Sequence, residues 1–474
     1  MNQLIIAALG MGTALCMAVS CQPNTQPQPV VTTTVPATYS ATAADNTFLD
    51  SLQRDTFRYF WETTNPQNGL VPDRAPSPSF SSIAAVGFGL TTYLVGVERG
   101  YISRTQASDR TLATLRFFAN APQSAQATGI AGYKGFFYHF LDMKTGERFK
   151  QVELSTIDTA LLLGGILSVQ AYFDQNTPAE TEIRTLAETI YGRADWTFFQ
   201  QRTPLVAMGW HPETGFIKSD WTGYNEAMLL YVLALGSPTH PVAPEAWTAW
   251  TKTYQFTTYN GLQHINFDPL FGHQYSHCWI DFRGIQDAYM RDKRLDYHEN
   301  SRLATYANRA YCVANKAGWT DYGPTIWGLT ACDGPADTLA GGRQFFSYRA
   351  RGAASTGIVD DGTIAPTAAG GSLPFAPEIC VPALRAMKAR YGAKLYGLYG
   401  FRDAFNPTYR YPSRFANGPT TQGWFDVDYL GIDQGPIMLM AENLRTGFVW
   451  NLMKKSPHIR RGLTRAGFTG GWLQ

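Results

Sequence analysis

From residue 45 to the C-terminus the apolar positions recur at helical spacing. They predict helices near 45–63, 81–99, 103–120, 156–174, 180–200, 223–235, 242–256, 280–292, 297–317, 376–391, 392–405 and 433–454. Two kinds of segment alternate. The odd ones are amphipathic and charged, as in Leu49-Asp50-Ser51-Leu52-Gln53-Arg54-Asp55, Glu180-Thr181-Glu182-Ile183-Arg184 and Asn300-Ser301-Arg302-Leu303, so each has one wet face. The even ones are apolar nearly all round and rich in small residues. Examples are Ile83-Ala84-Ala85-Val86-Gly87-Phe88-Gly89-Leu90, Thr159-Ala160-Leu161-Leu162-Leu163-Gly164-Gly165-Ile166 and Ala227-Met228-Leu229-Leu230-Tyr231-Val232-Leu233. Helices of that composition are enclosed by protein. The links alternate too. Even-to-odd links are short, whereas odd-to-even links are long: 64–80, 121–155, 201–222, 257–279, 318–375 and 406–432. Antiparallel neighbours put all the long links at one end. The expected fold is therefore all-α, an (α/α)6 barrel over residues 45–474 with its long loops on one face. Long connections inside a domain usually carry function.

The first twenty residues break this pattern. They are apolar and rich in small side chains, ending Met17-Ala18-Val19-Ser20-Cys21. This reads as a lipoprotein-type signal peptide over 1–20, with Cys21 as the lipidation site. It departs from the usual form in two ways: no Lys or Arg precedes the apolar run, and Ala18 stands where Leu is usual. Residues 21–44 are Pro, Thr, Gln, Ala and Ser with almost no large apolar residue, a disordered tether between anchor and body. No other stretch is apolar for the ~20 residues that cross a bilayer. The expectation is an exported monomer, periplasmic or anchored to the outer membrane, meeting the membrane through its lipid alone. The remaining cysteines, Cys278, Cys312, Cys332 and Cys380, match no zinc or haem spacing. One or two disulfides and isolated buried thiols fit them equally.

Charge narrows the partners. With 39 basic and 37 acidic residues the net charge is +2, which offers no basic field for nucleic acid. Charged residues are 16% and aromatics 14% of the chain, a composition that suits a large core and a groove where sugar faces stack on rings. Carboxylates then recur at the starts of the inner helices: Glu153 and Asp158, Asp220 and Glu226, Asp281, Glu378 and Asp433. Any one of them fits ordinary helix capping; the set, each against an otherwise uncharged helix, points to chemistry. Glycosidic cleavage needs a carboxylic acid to protonate the leaving oxygen and a second carboxylate to activate water or attack the sugar. Glu226, beside Trp221 and Tyr224, is the candidate acid, because apolar surroundings raise a carboxyl pKa. Asp158 is its candidate partner, with Glu153 close by. Asp142 and Asp361 are placed to approach from loops, although the Asp-Asp-Gly at 360–362 also suits an ordinary turn. Trp210, Trp221, Tyr224, His273, His277, Trp279, Asp281, Arg283, Trp327, Trp424 and Asp433 complete a candidate set of sugar contacts. His273, His277 and Cys278 raise a zinc reading that no Cys-x-x-Cys or His-Glu-x-x-His motif supports. No dinucleotide, Walker or nucleophile-elbow motif is present, so neither cofactor nor metal is expected.

Several of these stretches resemble the bacterial glucoamylase-like proteins, a group that includes glycoside hydrolase family 144. They are Glu153-Leu154-Ser155-Thr156-Ile157-Asp158-Thr159-Ala160-Leu161, Gly223-Tyr224-Asn225-Glu226-Ala227-Met228, Gly236-Ser237-Pro238-Thr239-His240-Pro241, His273-Gln274-Tyr275-Ser276-His277 and Gly431-Ile432-Asp433-Gln434-Gly435-Pro436, in that order from about residue 48 onward. The resemblance implies an (α/α)6 barrel and inverting, endo-acting hydrolysis of β-1,2-glucan to short sophoro-oligosaccharides, with Glu226 and the Asp158 region in the catalytic pit. The alternatives are a non-catalytic glycan-binding surface lipoprotein, a transglycosylase or another glucan specificity on the same fold, and a prenyl-transferring or cyclase enzyme that would need a metal.

Overall fold

Thr42 and Asp45 form a reciprocal capping box, so helix α1 (Ala43–Thr63) starts two residues before the expected boundary. The computed structural model describes residues 39–474. The signal peptide, Cys21 and the tether up to residue 38 lie outside the described residues. Beyond α1 the chain is helix-rich with short strands in its loops. The helices are α2 (Ile83–Glu98), α3 (Arg104–Asn120), α4 (Thr156–Tyr172), α5 (Pro178–Arg193), α6 (Ala227–Gly236), α7 (Glu245–Thr251), α8 (Ala288–Lys293), α9 (Tyr297–Ala314), α10 (Pro366–Gly370), α11 (Pro377–Tyr391), α12 (Gly431–Arg445), α13 (Phe448–Met453) and α14 (Pro457–Arg465).

The alternation read from the sequence appears as burial. Every residue of α2 from Ile83 to Gly96 is buried, and so is every residue of α6. In α3 and α5 one side alone is buried. Helix α2 packs against both α4 and α12, and α4 against α6. The α2–α4 approach is backbone on backbone. A Cβ on Gly165 would lie 2.1 Å from the Gly87 carbonyl oxygen, and one on Gly87 2.2 Å from that of Leu161. This contact explains the small residues of the apolar segments.

Three expected segments are corrected. The eighth inner segment is not 280–292. It is a pair of 3-10 turns, Leu270–His273 and Tyr275–Cys278, packed on α6 and α12. The tenth is the short α10, all five residues of it buried, which Gln274 joins through hydrogen bonds to Ala368 O and Ser372 Oγ, both 2.8 Å. Residues 377–391 instead form an amphipathic outer helix, α11, whose Glu378 is held by Arg302 and Tyr306 of α9. Residues 392–405 hold a single 3-10 turn and short strands in place of a helix. Inner segments of four or five residues give too few helical repeats for periodicity to register.

The long links are laced to one another. Arg74–Ala75 pairs with Tyr429–Leu430, Ser81–Ser82 with Phe140–Leu141, and Leu154–Ser155 with Gly209–His211. Ser355 N–H donates to Asn266 Oδ1, and Ile364 bridges to Phe405. All the long links thus share one end of the helices. Cys278, Cys312, Cys332 and Cys380 are free and buried. Among the described residues no helix is long and apolar enough to cross a membrane.

Candidate active site

The laced end gathers the N-termini of α2, α4, α6 and α12, and with them the acids. Ser155 caps α4: its Oγ accepts Asp158 N–H at 3.2 Å and donates to the Asp158 carboxylate at 2.5 Å. Glu226 occupies the cap position of α6 yet makes no side-chain capping hydrogen bond, and its Oε2 is buried with no partner. A carboxylate that served the helix would aim at the free N–H groups of the first turn. Capping therefore accounts for the Ser155–Asp158 arrangement and leaves Glu226 unexplained. Burial, followed by the charge of Asp158, lifts the Glu226 carboxyl to a pKa of about 7, which also means that the two groups feel each other.

Neighbouring side chains fix this pair. Trp221 Nε1 donates to Thr156 Oγ1 at 2.9 Å, tying the approach to α6 onto the first turn of α4. Ser276 Oγ donates to Glu226 O at 3.0 Å and accepts Leu229 N–H at 2.9 Å. Tyr224 stacks near His273 with ring centroids 4.8 Å apart. Trp210 sits opposite Leu154 in the ribbon that carries Glu153, and is half-buried with its ring 5.3 Å from that of Tyr133.

His139 was not among the sequence candidates. Its Nδ1 lies 2.8 Å from Glu153 and its Nε2 3.4 Å from Asp158. Burial opposes protonation, but the charges of Asp158 and Glu153 outweigh it and hold the imidazole pKa at about 9. The imidazolium in turn pulls Glu153 below its usual value against the effect of burial. At Asp158 burial prevails and the pKa is raised. The closer ion pair is the one with Glu153, which fits this division.

Across the same end lies a second acidic group: Asp73 beside Arg74 on the first long link, Asp333, Asp403, and Asp426 and Asp428 before α12, with Asp433 in its first turn. Arg74 contacts Asp73 at 3.1 Å and also pairs with Asp333. Burial, followed by Asp403, pushes the Asp433 carboxyl well up. The sequence carried a signal for this group in the alternation of Asp426 and Asp428 within the apolar run Trp424–Leu430. An acid in a strand-like apolar stretch has the same standing as one at an inner-helix start.

Several expected sugar contacts lie elsewhere. Trp279, Trp327 and Trp424 are fully buried; Trp279 donates to Thr91 Oγ1 and packs on Gly164 in the core, where no sugar face reaches. Asp281 and Arg283 pair with each other, and Asp281 also binds Lys454 at 2.7 Å. Lys454 follows α13, beyond the C-terminal end of the 15-residue α12. That end of α12 is about 18 Å along the helix from Asp433 at 1.5 Å per residue. They sit there because residues 270–278, not 280–292, form the inner segment. Asp361 is locked in a fully buried ion pair with Arg351 at 2.7 Å. Asp142 accepts the N–H groups of Lys144 and Thr145 in its own turn. His273 and His277 are fully buried. Burial takes His273 down to a pKa of about 3, and His277 donates to or accepts from Ser301 Oγ at 3.2 Å. They do not meet Cys278 around a common point: among the described residues the groups of His, Cys, Asp and Glu close enough to share an ion are His139–Glu153–Asp158 and Asp333–Asp403–Asp426.

Comparison with known proteins identifies relatives of this chain. A family model named Glycoamylase, described as "Putative glucoamylase", matches residues 218–457, half of the chain. A crystal structure under the same description, from Bacteroides uniformis, is 32% identical with a TM-score of 0.78, covering 92% of this chain and all of that one. An endo-β-1,2-glucanase from Chitinophaga pinensis, in complex with sophorotriose and glucose, is 28% identical with a TM-score of 0.77, covering 90% of this chain and 99% of that one. An exo β-1,2-glucooligosaccharide sophorohydrolase (non-reducing end) of Parabacteroides distasonis is 29% identical over 92% of this chain. The chain spans 59% of that curated relative's length. On the family-model match and the full-length similarity to the Bacteroides structure, the chain belongs to the glucoamylase-like family.

Proposed function

We propose that the protein is a glycoside hydrolase that cleaves β-1,2-glucan in an endo manner with inversion, using Glu226 as general acid and Asp158 as general base. The observation that carries this reading is the Glu226 carboxyl: uncapped, with one oxygen buried and unpartnered, and a pKa of about 7. A carboxyl so placed is protonated near neutral pH and has a proton to give to a glycosidic oxygen. Asp158, oriented by Ser155 and flanked by charged His139, takes the proton of the attacking water. Glu153 holds His139 and enters the step through it. Trp210 lines the approach to this pair, Trp221 braces the first turn of α4, Tyr224 is fully buried behind them and touches no sugar, and Asp433 serves the opposite wall.

The fold we assign is the (α/α)6 barrel. Its support is the chain of contacts α12–α2–α4–α6, continued through the turn 275–278 and back to α12, with α10 against α12. The substrate reading draws on the glucanase relatives and on the neutral, hydroxyl-rich ligand that this aromatic and acidic end suits. We assign export with a lipid on Cys21, and a monomer.

Chromatography of products from a panel of β- and α-linked glucans tests the reading. Sophoro-oligosaccharides of mixed length from β-1,2-glucan are expected, with the α-anomer appearing first by NMR. Uncut β-1,2-glucan alongside a cleaved rival glucan would remove the substrate assignment. Sophorose alone, released from chain ends, would replace endo by exo action, as in the Parabacteroides distasonis relative.

A further inference from the structure

We propose that Asp333, Asp403 and Asp426 form a Ca2+ site that pins together the loops at the laced end of the molecule. One carboxylate oxygen from each of the three lies within 4.8 Å of the others. Ca2+ holds oxygens at about 2.3–2.6 Å, so ligands on opposite sides of the ion stand up to ~5 Å apart, and one ion fits between these three. The donors are all hard oxygens with no His or Cys among them, a set that suits Ca2+ over zinc or copper.

A second observation separates this from an ordinary acidic cluster. Asp403 and Asp426 are each 1% exposed; Asp426 Oδ2 is buried without any hydrogen-bond partner, and Asp403 Oδ1 meets no N–H or hydroxyl donor, Asp403 sharing a carboxyl–carboxylate contact with Asp433. Their other oxygens are oriented by backbone: Asp403 Oδ2 accepts Asp333 N–H at 2.8 Å, and Asp426 Oδ1 accepts Asp428 N–H at 3.0 Å. Each carboxylate is thus held by one oxygen and presents the other to its neighbours. Unsatisfied buried carboxylate oxygens cost free energy that a cation returns. Arg74 neutralises only part of the group, since its contacts go to Asp333 and Asp73, with Asp428 at 4.0 Å. Asp333 is half-buried and gives an ion its access from solvent. The three ligands come from residues 318–375, the 396–406 segment and the link into α12, and Arg74 adds the first long link. An ion there would join loops that are otherwise connected by two-residue strands.

The inference is independent of the glucan-cleaving reading. Its test is calorimetry and thermal melting of full-length protein stripped with EGTA, titrated with CaCl2 alone at pH 7.5. One equivalent of Ca2+ is expected to bind with Kd at or below about 1 mM and to raise Tm, with Mg2+ at least ~10-fold weaker. D426N and D333N should lose the binding; D333N alters a half-buried side chain and decides the matter if D426N does not fold. E153Q, on the other acidic group, should keep it. No heat and no Tm shift in the wild type up to about 10 mM CaCl2 would overturn the proposal, leaving carboxylates that hold protons instead. Binding lost in E153Q but kept in D333N would overturn it too, by moving the ion to the other group.

Discussion

The proposed mechanism concentrates its chemistry in one carboxyl, that of Glu226. E226Q keeps shape and polarity but removes the proton donor, so kcat should fall by at least ~100-fold while the variant still binds oligosaccharide and stays folded. Near wild-type turnover would remove Glu226 from the role. Its pH dependence has a definite sign. With a folded pKa of about 7 against an ordinary value of 4.5, the group is protonated below about 7, so kcat/KM should decline as pH rises through 7. Stability follows the same group. Between 4.5 and 7 the folded state keeps a proton that the unfolded chain has released, so stability falls with rising pH across that window. E226Q abolishes this fall, and its advantage in denaturant midpoint over wild type should widen from pH 4.5 to 7.5. An unchanged difference would mean that the carboxyl is not buried in solution. His139 offers an independent check. Its pKa of about 9 depends, against burial, on Asp158 and Glu153. D158N and E153Q should each lower the imidazole pKa, read by NMR titration, by about a unit or more.

At the scale of elements, the close approach of α2 and α4 is the most exacting contact. G165A would put a methyl 2.1 Å from the Gly87 carbonyl oxygen, and relieving it means shifting either α2 or α4, the helix that also carries Asp158. A loss of at least about 1–3 kcal/mol is expected from overpacking, measured as a lower urea midpoint; a neutral result would show that the helices stand farther apart. The same elements explain what the sequence could and could not disclose. Helices α2, α4 and α6 are apolar over ten residues or more, so their buried character was legible, as were the acids at the starts of α4 and α6. The turns at 270–278 and the five-residue α10 span too few residues for a helical period to emerge. That loss displaced Trp279, Asp281 and Arg283 from core and far end into an imagined pit. His139 and the group around Asp403 escaped for a different reason. They belong to short strands and turns whose neighbours are set by pairing between links far apart in sequence, such as Arg74–Ala75 with Tyr429–Leu430. Asp361 shows the converse: an acid in a long loop, read as a sugar contact, is spent on Arg351, itself fully buried.

Over the whole molecule, a net charge of +2 conceals a local excess of acid. Glu153, Asp158 and Glu226 gather at the laced end with Asp73, Asp333, Asp403, Asp426, Asp428 and Asp433, whereas the cations in contact with them are His139 and Arg74. Arginines elsewhere have acids of their own: Arg58 pairs with Glu62, Arg116 with Glu182 and Arg390 with Asp321, and on the long links Arg148 pairs with Glu213 and Arg202 with Asp220. A neutral glucan meets this acidic end without electrostatic cost, and its hydroxyls find acceptors there. A chain bearing anionic substituents is repelled both on approach and at the pair itself, where an added negative charge would raise the pKa of Glu226 and hinder ionisation of Asp158. Carboxylated β-1,2-glucan should therefore show a lower kcat/KM than neutral glucan of the same length, by about 10-fold or more at 10 mM salt. Raising salt to 0.5 M shortens the screening length from about 30 Å to roughly 4 Å, so the approach component of that gap should close while the component at the buried pair persists. Equal rates on the two polymers at low salt would mean that the acids are neutralised, and the Ca2+ titration then distinguishes a bound ion from shared protons. If the gap narrows on adding Ca2+ to EGTA-stripped protein, but not in D333N, ion and acidic end act as one unit.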